Sequence, residues 1–203
     1  MSNTLYIQNF VRIFNNKLFV NNRLLLEQEG NTDAFARALY QDCALQYPKF
    51  FKMDLMSKMG LVASSYILHD MGDIDMYKRC FIFQNKSASL IADKAYDNSI
   101  DTHPSPLLFV YTLPNIVMGE LAIKFRFKGE NTFFVLPNFN AAQLVEYTNI
   151  LFKQQIAQYI LLGFIEVTET TQNILFASCS EKKSNCILDI EELQSIFDKT
   201  HTN

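Results

Sequence analysis

Cysteine and histidine supply many of the nucleophiles and general bases of acyl-transfer enzymes, and both are scarce and scattered in this chain. The cysteines are Cys43, Cys80, Cys179 and Cys186, and the histidines are His69, His103 and His201. The last two cysteines are too far apart for a Cys-x-x-Cys zinc motif and have no histidine near them in sequence. No Cys–His or Ser–His–Asp arrangement has a local sequence signal. We therefore expect no metal, no cofactor and reduced thiols that pack as small apolar side chains.

A second place for chemistry is the stretch KGENTFFVLPNFNAAQLVEY, residues 128–147. An apolar run typical of a strand enters a tight turn, and a helical pattern follows. Several enzyme classes present a nucleophile at such an elbow, but this turn reads Leu136-Pro137-Asn138-Phe139. An amide cannot accept an acyl group. We therefore expect Asn138 to act as the N-cap of the helix, a role that asparagine fills well.

Composition excludes several classes of protein. The 203 residues are 49% hydrophobic and 19% charged, which supports a sizeable core and excludes a disordered chain. A formal net charge of -3 and a pI near 5.6 give no electrostatic case for binding nucleic acid or an anionic membrane. No apolar run reaches membrane-spanning length, and the first residues do not have the pattern of a signal peptide. We expect a cytoplasmic protein with one domain over residues 1–203.

Strand patterns alternate with helical patterns along the chain, which is typical of an α/β fold with a mostly parallel sheet. Strands are predicted at residues 5–11, 78–84 and 132–136, and a terminal hairpin at 164–167 and 173–177. Helices are predicted at residues 34–45, from 54 onward, and at 87–96, 115–127, 140–162 and 189–197.

The most specific motif lies between residues 104 and 135 and combines two turn signals with a helix. Its elements are Ser105-Pro106, Leu113-Pro114-Asn115, Gly119, Ile123-Lys124 and Lys128-Gly129-Glu130-Asn131. On these residues the chain resembles the β-ketoacyl synthases, which have the thiolase fold. A complete synthase is roughly twice as long, so the resemblance implies one half of that fold. It implies a mostly parallel five-stranded sheet with an antiparallel edge strand, flanked by helices.

The resemblance also implies a lost activity. In the family the active-site cysteine follows nine positions after the glycine that matches Gly129, which leads here to Asn138. The two catalytic histidines of the family belong to the other half of the fold. The chain therefore looks like a chain-length factor, a non-catalytic subunit that pairs with a full-length catalytic synthase. Short subunits of this kind occur in pathways to aryl polyene or flexirubin-type pigments.

Family dimers pair through the strand before the elbow, and the start of the preceding helix reaches toward the partner's acyl tunnel. By that match Phe133 and Val135 would lie at the seam. The residues that would line or cap the tunnel are Phe109, Thr112, Leu113, Asn115 and Ile116. For the apolar members an ordinary core position is the competing interpretation. Tyr111 and Thr112 fit a core less well, which favours an interface.

Two other functions stay open from the sequence. One is a homodimeric scaffold, or a module that docks an acyl carrier protein without controlling chain length. The other is an enzyme that uses Cys80 or Cys43 as its nucleophile, although Cys80 lies in an apolar strand where burial would raise the thiol pKa.

Overall fold

The computed structural model describes residues 4–69, 71–101 and 103–199, so His201 lies outside the described residues. The strands are β1 Tyr6–Phe14, β2 Lys17–Val20, β3 Arg23–Glu27, β4 Arg79–Asn85, β5 Asn131–Val135, β6 Tyr159–Val167, β7 Gln172–Ser180 and β8 Cys186–Ile187. The helices are α1 Thr32–Asp42, α2 Leu55–Ser65, α3 Leu90–Ile100, α4 Pro106–Val110, α5 Ile116–Phe125, α6 Ala141–Lys153 and α7 Ile190–Asp198. Two 3₁₀ helices cover Pro48–Lys52 and Met76–Lys78.

The strands form one sheet in the order β3-β2-β1-β7-β6-β4-β5, with β8 paired to the start of β1. β4 pairs in parallel with β5 and β6, and β7 is antiparallel to both β6 and β1. In the part of the sheet ordered β1-β7-β6-β4-β5, strands β1, β6, β4 and β5 therefore run in the same direction, and β7 runs in the opposite one. The predicted α/β class is confirmed.

The position of the antiparallel strand differs from the prediction. β7 lies inside the sheet, between β1 and β6, and not at an edge. The reason is the short turn after β6, in which Thr168 N donates to Thr171 O (2.8 Å) and returns the chain beside β6. The sheet also continues past β1 into the β2–β3 meander. Its turns use asparagines with positive φ, Asn15-Asn16 and Asn21-Asn22, which suits two-residue hairpins.

Helices cover both faces of the sheet. α1, α2 and α5 pack on one face, over Phe81, Phe83 and Phe176, and α6 and α7 pack on the other, over Ile82 and Leu162. Neighbouring residues of β4 and β6 alternate between the two cores, as the period of a strand requires. A strand buried on both faces gives the continuous apolar run seen in the sequence.

Three helix starts follow the sequence closely. Asn31 accepts from Ala34 N (2.9 Å) at the start of α1, and Asp54 accepts from Ser57 N (3.1 Å) at the start of α2. Asp189 accepts from Glu192 N (2.7 Å) at the start of α7. The predicted helix at residues 87–96 is shifted to Leu90–Ile100. Glu166 Oε2 accepts from the backbone of Lys86 and Ser87, which keeps that segment in a loop.

The long helix predicted over residues 140–162 was wrong in its second half. α6 ends at Lys153, Gln155 has a φ of 56°, and Tyr159–Val167 is the central strand β6. A short apolar run reads equally well as a buried helix or a buried strand. Gly163 is accordingly not a helix stop. An added Cβ there would overlap the carbonyl of Leu175 on the adjacent strand, so only glycine fits.

Candidate functional site

The elbow between β5 and α6 is fixed by a buried amide. Gln84, at the end of β4, is fully buried. Its Oε1 accepts from Asn140 N (3.0 Å), and its Nε2 donates to Asn140 O (3.1 Å) and to Gln143 Oε1 (2.9 Å). Leu136 N donates to Asn85 O (2.8 Å) on the other side of the turn. One side chain thus satisfies both backbone groups of the residue that opens the helix.

Asn138 is not the N-cap of α6, which corrects the expectation. Asn140 fills that role, because its side chain accepts from Gln143 N (3.0 Å), while Asn138 lies two residues earlier and is exposed. The sequence from 136 to 141 is Leu-Pro-Asn-Phe-Asn-Ala. None of these six residues carries a thiol or a hydroxyl group that could act as an acyl-accepting nucleophile.

Aromatic side chains close one flank of the elbow. The ring of Phe139 stacks on Phe197 of α7, with centroids 4.0 Å apart, and Phe164 meets both rings edge-on. The buried guanidinium of Arg12 lies over the Phe197 ring, and its Nε donates to Phe197 O (3.1 Å). Burial lowers the pKa of Arg12 to about 10, against an opposing attraction from Asp198. The end of α7 is thus held against the elbow.

All four thiols are in surroundings that disfavour the thiolate. Burial raises the pKa of Cys43 and of Cys80, and burial, together with the neighbouring Cys186, raises that of Cys179 furthest. The pKa of Cys186 is raised to about 11, by burial and then by the carboxylate of Glu192. Thiols with raised pKa values are poor nucleophiles near neutral pH.

Three of the cysteines have a packing role that the sheet register explains. Cys80, Ile160, Cys179, Ile7 and Cys186 lie side by side across five strands, so small and large side chains alternate under α6 and α7. Neighbouring thiols of this row are two strands apart, roughly 9.6 Å, which is beyond the reach of a disulfide. Within the described residues, no group of three or more His, Cys, Asp and Glu side chains could hold a metal ion.

Several exposed apolar side chains lie in the segment from α3 through the turn after α4, residues 90–101 and 103–113, which we call the arm. Of the 16 large apolar side chains that are exposed in the described residues, six belong to the arm. They are Leu90, Ile100, Leu107, Phe109, Val110 and Leu113. Clustered exposed apolar side chains of this kind make the arm a candidate contact surface.

Polar anchors hold the arm in place. Tyr111 is buried, and its hydroxyl donates to Glu120 Oε1 (3.2 Å), which also pairs with Lys49 Nζ (2.8 Å). Ser89 Oγ donates to the carbonyl of Thr112. Tyr111 therefore belongs to the core, contrary to the expectation that it favours an interface. With Tyr111 anchored inward, the nearby side chains of Phe109, Val110 and Leu113 remain exposed.

The other predicted contact residues lie on or next to this surface. Phe109 is 56% exposed, Leu113 54% and Val135 50%. Asn115 is exposed, and Thr112, Ile116 and Phe133 are half-buried. An open groove of about 430 Å³ lies within the arm itself, lined by Asp93, Lys94, Tyr96, Asp97, Ile100 and Thr112. The tunnel and seam roles of these residues stay predictions.

β5 is an edge strand in the described part of the chain, because it pairs on one side only, with β4. A free strand edge exposes a row of backbone donors and acceptors that can pair with another chain. β5 is also continuous with the elbow through Leu136. The elbow, β5 and the arm therefore form the candidate site, and Gln84, Phe197 and Arg12 are the members that the sequence did not reveal.

No family model matches the chain, and no curated protein matches it. Several solved structures are similar to it. The chain aligns with an ishigamide ketosynthase/chain length factor structure at a TM-score of 0.65 and 13% identity, over 90% of this chain and 64% of that one. It aligns with a type II polyketide synthase complex, an acyl-carrier protein with its ketosynthase bound to the hexaketide (AntDE:AntF), at 0.59 and 13%, over 90% and 64%.

A third structure is the ketosynthase ApeO in complex with its chain length factor ApeC from Xenorhabdus doucetiae. The TM-score is 0.57 and the identity 12%, over 87% of this chain and 79% of that one. The chain thus spans about 64% of the length of the first two matched chains. At 12–13% identity the similarity shows the fold, which is the thiolase-like fold of ketosynthases and chain length factors.

Proposed function

We propose that the chain is a non-catalytic, ketosynthase-like subunit that pairs with a catalytic β-ketoacyl synthase and shapes the tunnel in which its acyl chain grows. The observation that carries the proposal is the surface formed by the arm and the free edge of β5. Because these apolar side chains are about half exposed, covering each of them would contribute roughly 1 kcal/mol. A partner that covers the arm and pairs with β5 would gain this contribution.

Three observations support a role without catalysis. The elbow offers amides and apolar side chains where a nucleophile would be needed. The thiols all have raised pKa values, with two of the four fully buried. The groove of about 430 Å³ on the arm is open to solvent and is not an enclosed tunnel. The tunnel would therefore belong to the complex, with this chain contributing part of its wall.

The finer type that we propose is the short subunit of aryl polyene or flexirubin-type pathways. Support comes from the match to the ApeO–ApeC complex, which covers 87% of this chain and 79% of that one. An acyl carrier protein is a further proposed partner, because one matched structure contains a carrier protein with its ketosynthase. We propose a cytoplasmic location and a single domain; no helix of the described residues is long and apolar enough to cross a membrane.

Reconstitution with a candidate synthase tests this function. The chain and the synthase are mixed, and their mass is measured by light scattering after size exclusion. A one-to-one complex that makes a product of defined length is the expected result. A synthase whose activity and product length are the same with and without the chain would end the proposal.

The tunnel role is tested in the same complex. Phe109→Ala or Leu113→Ala removes exposed bulk from the arm, so we expect longer products from either variant. Leu24→Ala is the matched control, because Leu24 is also about half exposed but lies on β3 at the opposite edge of the sheet. Mass spectrometry of the products gives the readout. If all variants give products of equal length, the chain would pair with the synthase without shaping its tunnel.

A homodimer is the second candidate, and the same edge strand favours it, because β5 of one copy could pair with β5 of another. A stable dimer of the chain alone that excludes the synthase would establish a scaffold. The third candidate, an enzyme with a cysteine nucleophile, requires that the purified chain forms a thioester with an activated acyl donor. Mass spectrometry of the intact chain detects that adduct directly.

A further inference from the structure

The two helices of the arm are joined by side-chain contacts. Ser99 Oγ, in the last turn of α3, donates to Tyr96 O (2.7 Å) and accepts from Ser105 N (3.3 Å), where α4 begins. The Tyr96 ring of α3 lies beside the Phe109 ring of α4, with centroids 5.4 Å apart and planes inclined by 57°. The position of Phe109 therefore depends on α3 as well as on its own helix.

Phe109 is held at its backbone and on one side of its ring. Its N–H donates to Ser105 O (3.0 Å), and its carbonyl accepts from Thr112 Oγ1 (2.7 Å). The residue is 56% exposed, and its ring meets Tyr96 on the covered side. Aromatic pairs at such a separation attract each other and favour inclined arrangements. Tyr96 thus limits the rotamers that Phe109 can adopt.

The groove within the arm would give the Phe109 ring room to move if the Tyr96 ring were absent. Tyr96 is one of the side chains that line this open groove of about 430 Å³, together with Ile100 and Thr112. Removing the Tyr96 ring would extend the open space to the face of Phe109 that is now covered. An unsupported phenylalanine would change rotamer and turn its apolar ring into that space.

We propose that Tyr96 is a positioning residue, which holds the Phe109 ring outward and so sets how far that ring projects into the acyl tunnel. The inference rests on the proposed function, because the tunnel belongs to the complex with the synthase. Packed side chains give way little, so a supported ring would stop the growing chain at one length. An unsupported ring would yield to it. Product length would then depend on the Tyr96–Phe109 pair and not on the bulk of Phe109 alone.

A double-mutant cycle in the reconstituted complex tests whether Tyr96 acts through Phe109. The variants are Tyr96→Phe, Tyr96→Ala, Phe109→Ala and the double variant Tyr96→Ala/Phe109→Ala, and mass spectrometry gives the product lengths. We expect Tyr96→Phe, which keeps the ring, to leave the products unchanged. Tyr96→Ala should lengthen the products, and it should add nothing once position 109 is alanine. Tyr77→Ala is the matched control, because it removes an exposed tyrosine ring outside the arm.

The motion of the ring is also measured in the free chain. The chain has no tryptophan, so Phe109→Trp introduces a single indole that time-resolved fluorescence anisotropy can follow. In that background we expect Tyr96→Ala to raise the amplitude of the nanosecond motion about twofold, since unsupported side chains change rotamer on that timescale. Tyr96→Phe should not change it. Leu24→Trp, on β3 at the opposite edge of the sheet, is the control reporter and should not respond to Tyr96→Ala.

Product length separates a positioning role from a structural one, because a loss of stability alone would lower the yield of complex and not the length of its product. If Phe109→Ala lengthens the products but Tyr96→Ala does not, the inference is overturned and the proposed function stands. If Tyr96→Ala lengthens them equally with and without the Phe109 ring, Tyr96 does not act through that ring. If Phe109→Ala itself has no effect, the tunnel role fails, and this inference fails with it.

Discussion

The elbow and the arm lie at the same end of the molecule, but their side chains are satisfied in different ways. At the elbow, Gln84 pairs with both backbone groups of Asn140, and Phe139 is covered by Phe197. On the arm, Tyr111 is anchored inward while Phe109 and Leu113 are left in water. The elbow is complete within this chain, and the arm is not.

That difference locates the unsatisfied part of the surface. The polar groups that shape the elbow are hydrogen-bonded within the chain. Here the exposed and energetically costly groups are apolar, and they lie on the arm and at the edge of β5. A surface of this kind contributes binding energy and not reactivity.

The largest effect is expected from a charge at the edge strand. Val135→Asp places a carboxylate in a surface that the synthase would desolvate, so we expect partner binding to weaken about 100-fold or more. Val135 is 50% exposed in the free chain, and its replacement should change the free energy of unfolding by less than about 0.5 kcal/mol. Calorimetric titration and urea denaturation measure the two quantities. A variant that still pairs normally would remove β5 from the interface.

Gln84→Ala should lower the stability of the chain and leave its affinity for the synthase nearly unchanged. It leaves the N–H and carbonyl of Asn140 without their buried partners, which we expect to cost about 2–4 kcal/mol of stability. Urea denaturation measures the loss, and Gln154→Ala, at an exposed glutamine after α6, is the control. Where the variant remains folded, its affinity for the synthase should be within about threefold of the original. A large loss of affinity at unchanged stability would show that the elbow, too, serves the partner.

Tyr111→Phe tests the anchor of the arm, because it removes the hydroxyl that binds Glu120 but keeps the ring. The lost hydrogen bond should cost about 1–1.5 kcal/mol of stability. Partner affinity should fall about threefold, since a freer arm must be ordered on binding. Tyr96→Phe is a matched control on the arm itself, because the Tyr96 ring packs beside Phe109. Equal effects of the two variants would mean that the anchor at Glu120 does not position the arm.

The sequence alone predicted the features that depend on residues close together in the chain. Caps at Asn31, Asp54 and Asp189 follow from local hydrogen bonding, and the strand before the elbow follows from its apolar run. The motif around residues 104–135 led to the correct fold. The end of α6 was missed because the residues after Gln155 form a run whose burial on two faces hides its period.

Contacts between distant segments could not be predicted in this way. Gln84 meets Asn140 across 56 positions, and Arg12 meets Phe197 across 185. Neither residue has a local signal for its role, since a glutamine at a strand end and an arginine in an apolar strand are compatible with many environments. Only the packing of α6 and α7 against the same face of the sheet brings these groups together. The closure of the elbow is therefore a property of the tertiary structure.

The smallest predicted effect separates two asparagines of the elbow. Asn140→Ala removes the side-chain oxygen that caps Gln143 N, and loss of an N-cap typically costs about 1 kcal/mol. Asn138→Ala, at the exposed position that we propose as a vestigial nucleophile site, should cost less than about 0.5 kcal/mol. Parallel urea titrations of the two variants give the comparison. If Asn138→Ala were instead the more damaging change, or if it altered the products of the reconstituted complex, then Asn138 would keep a role in the reaction, and the elbow could no longer be regarded as purely structural.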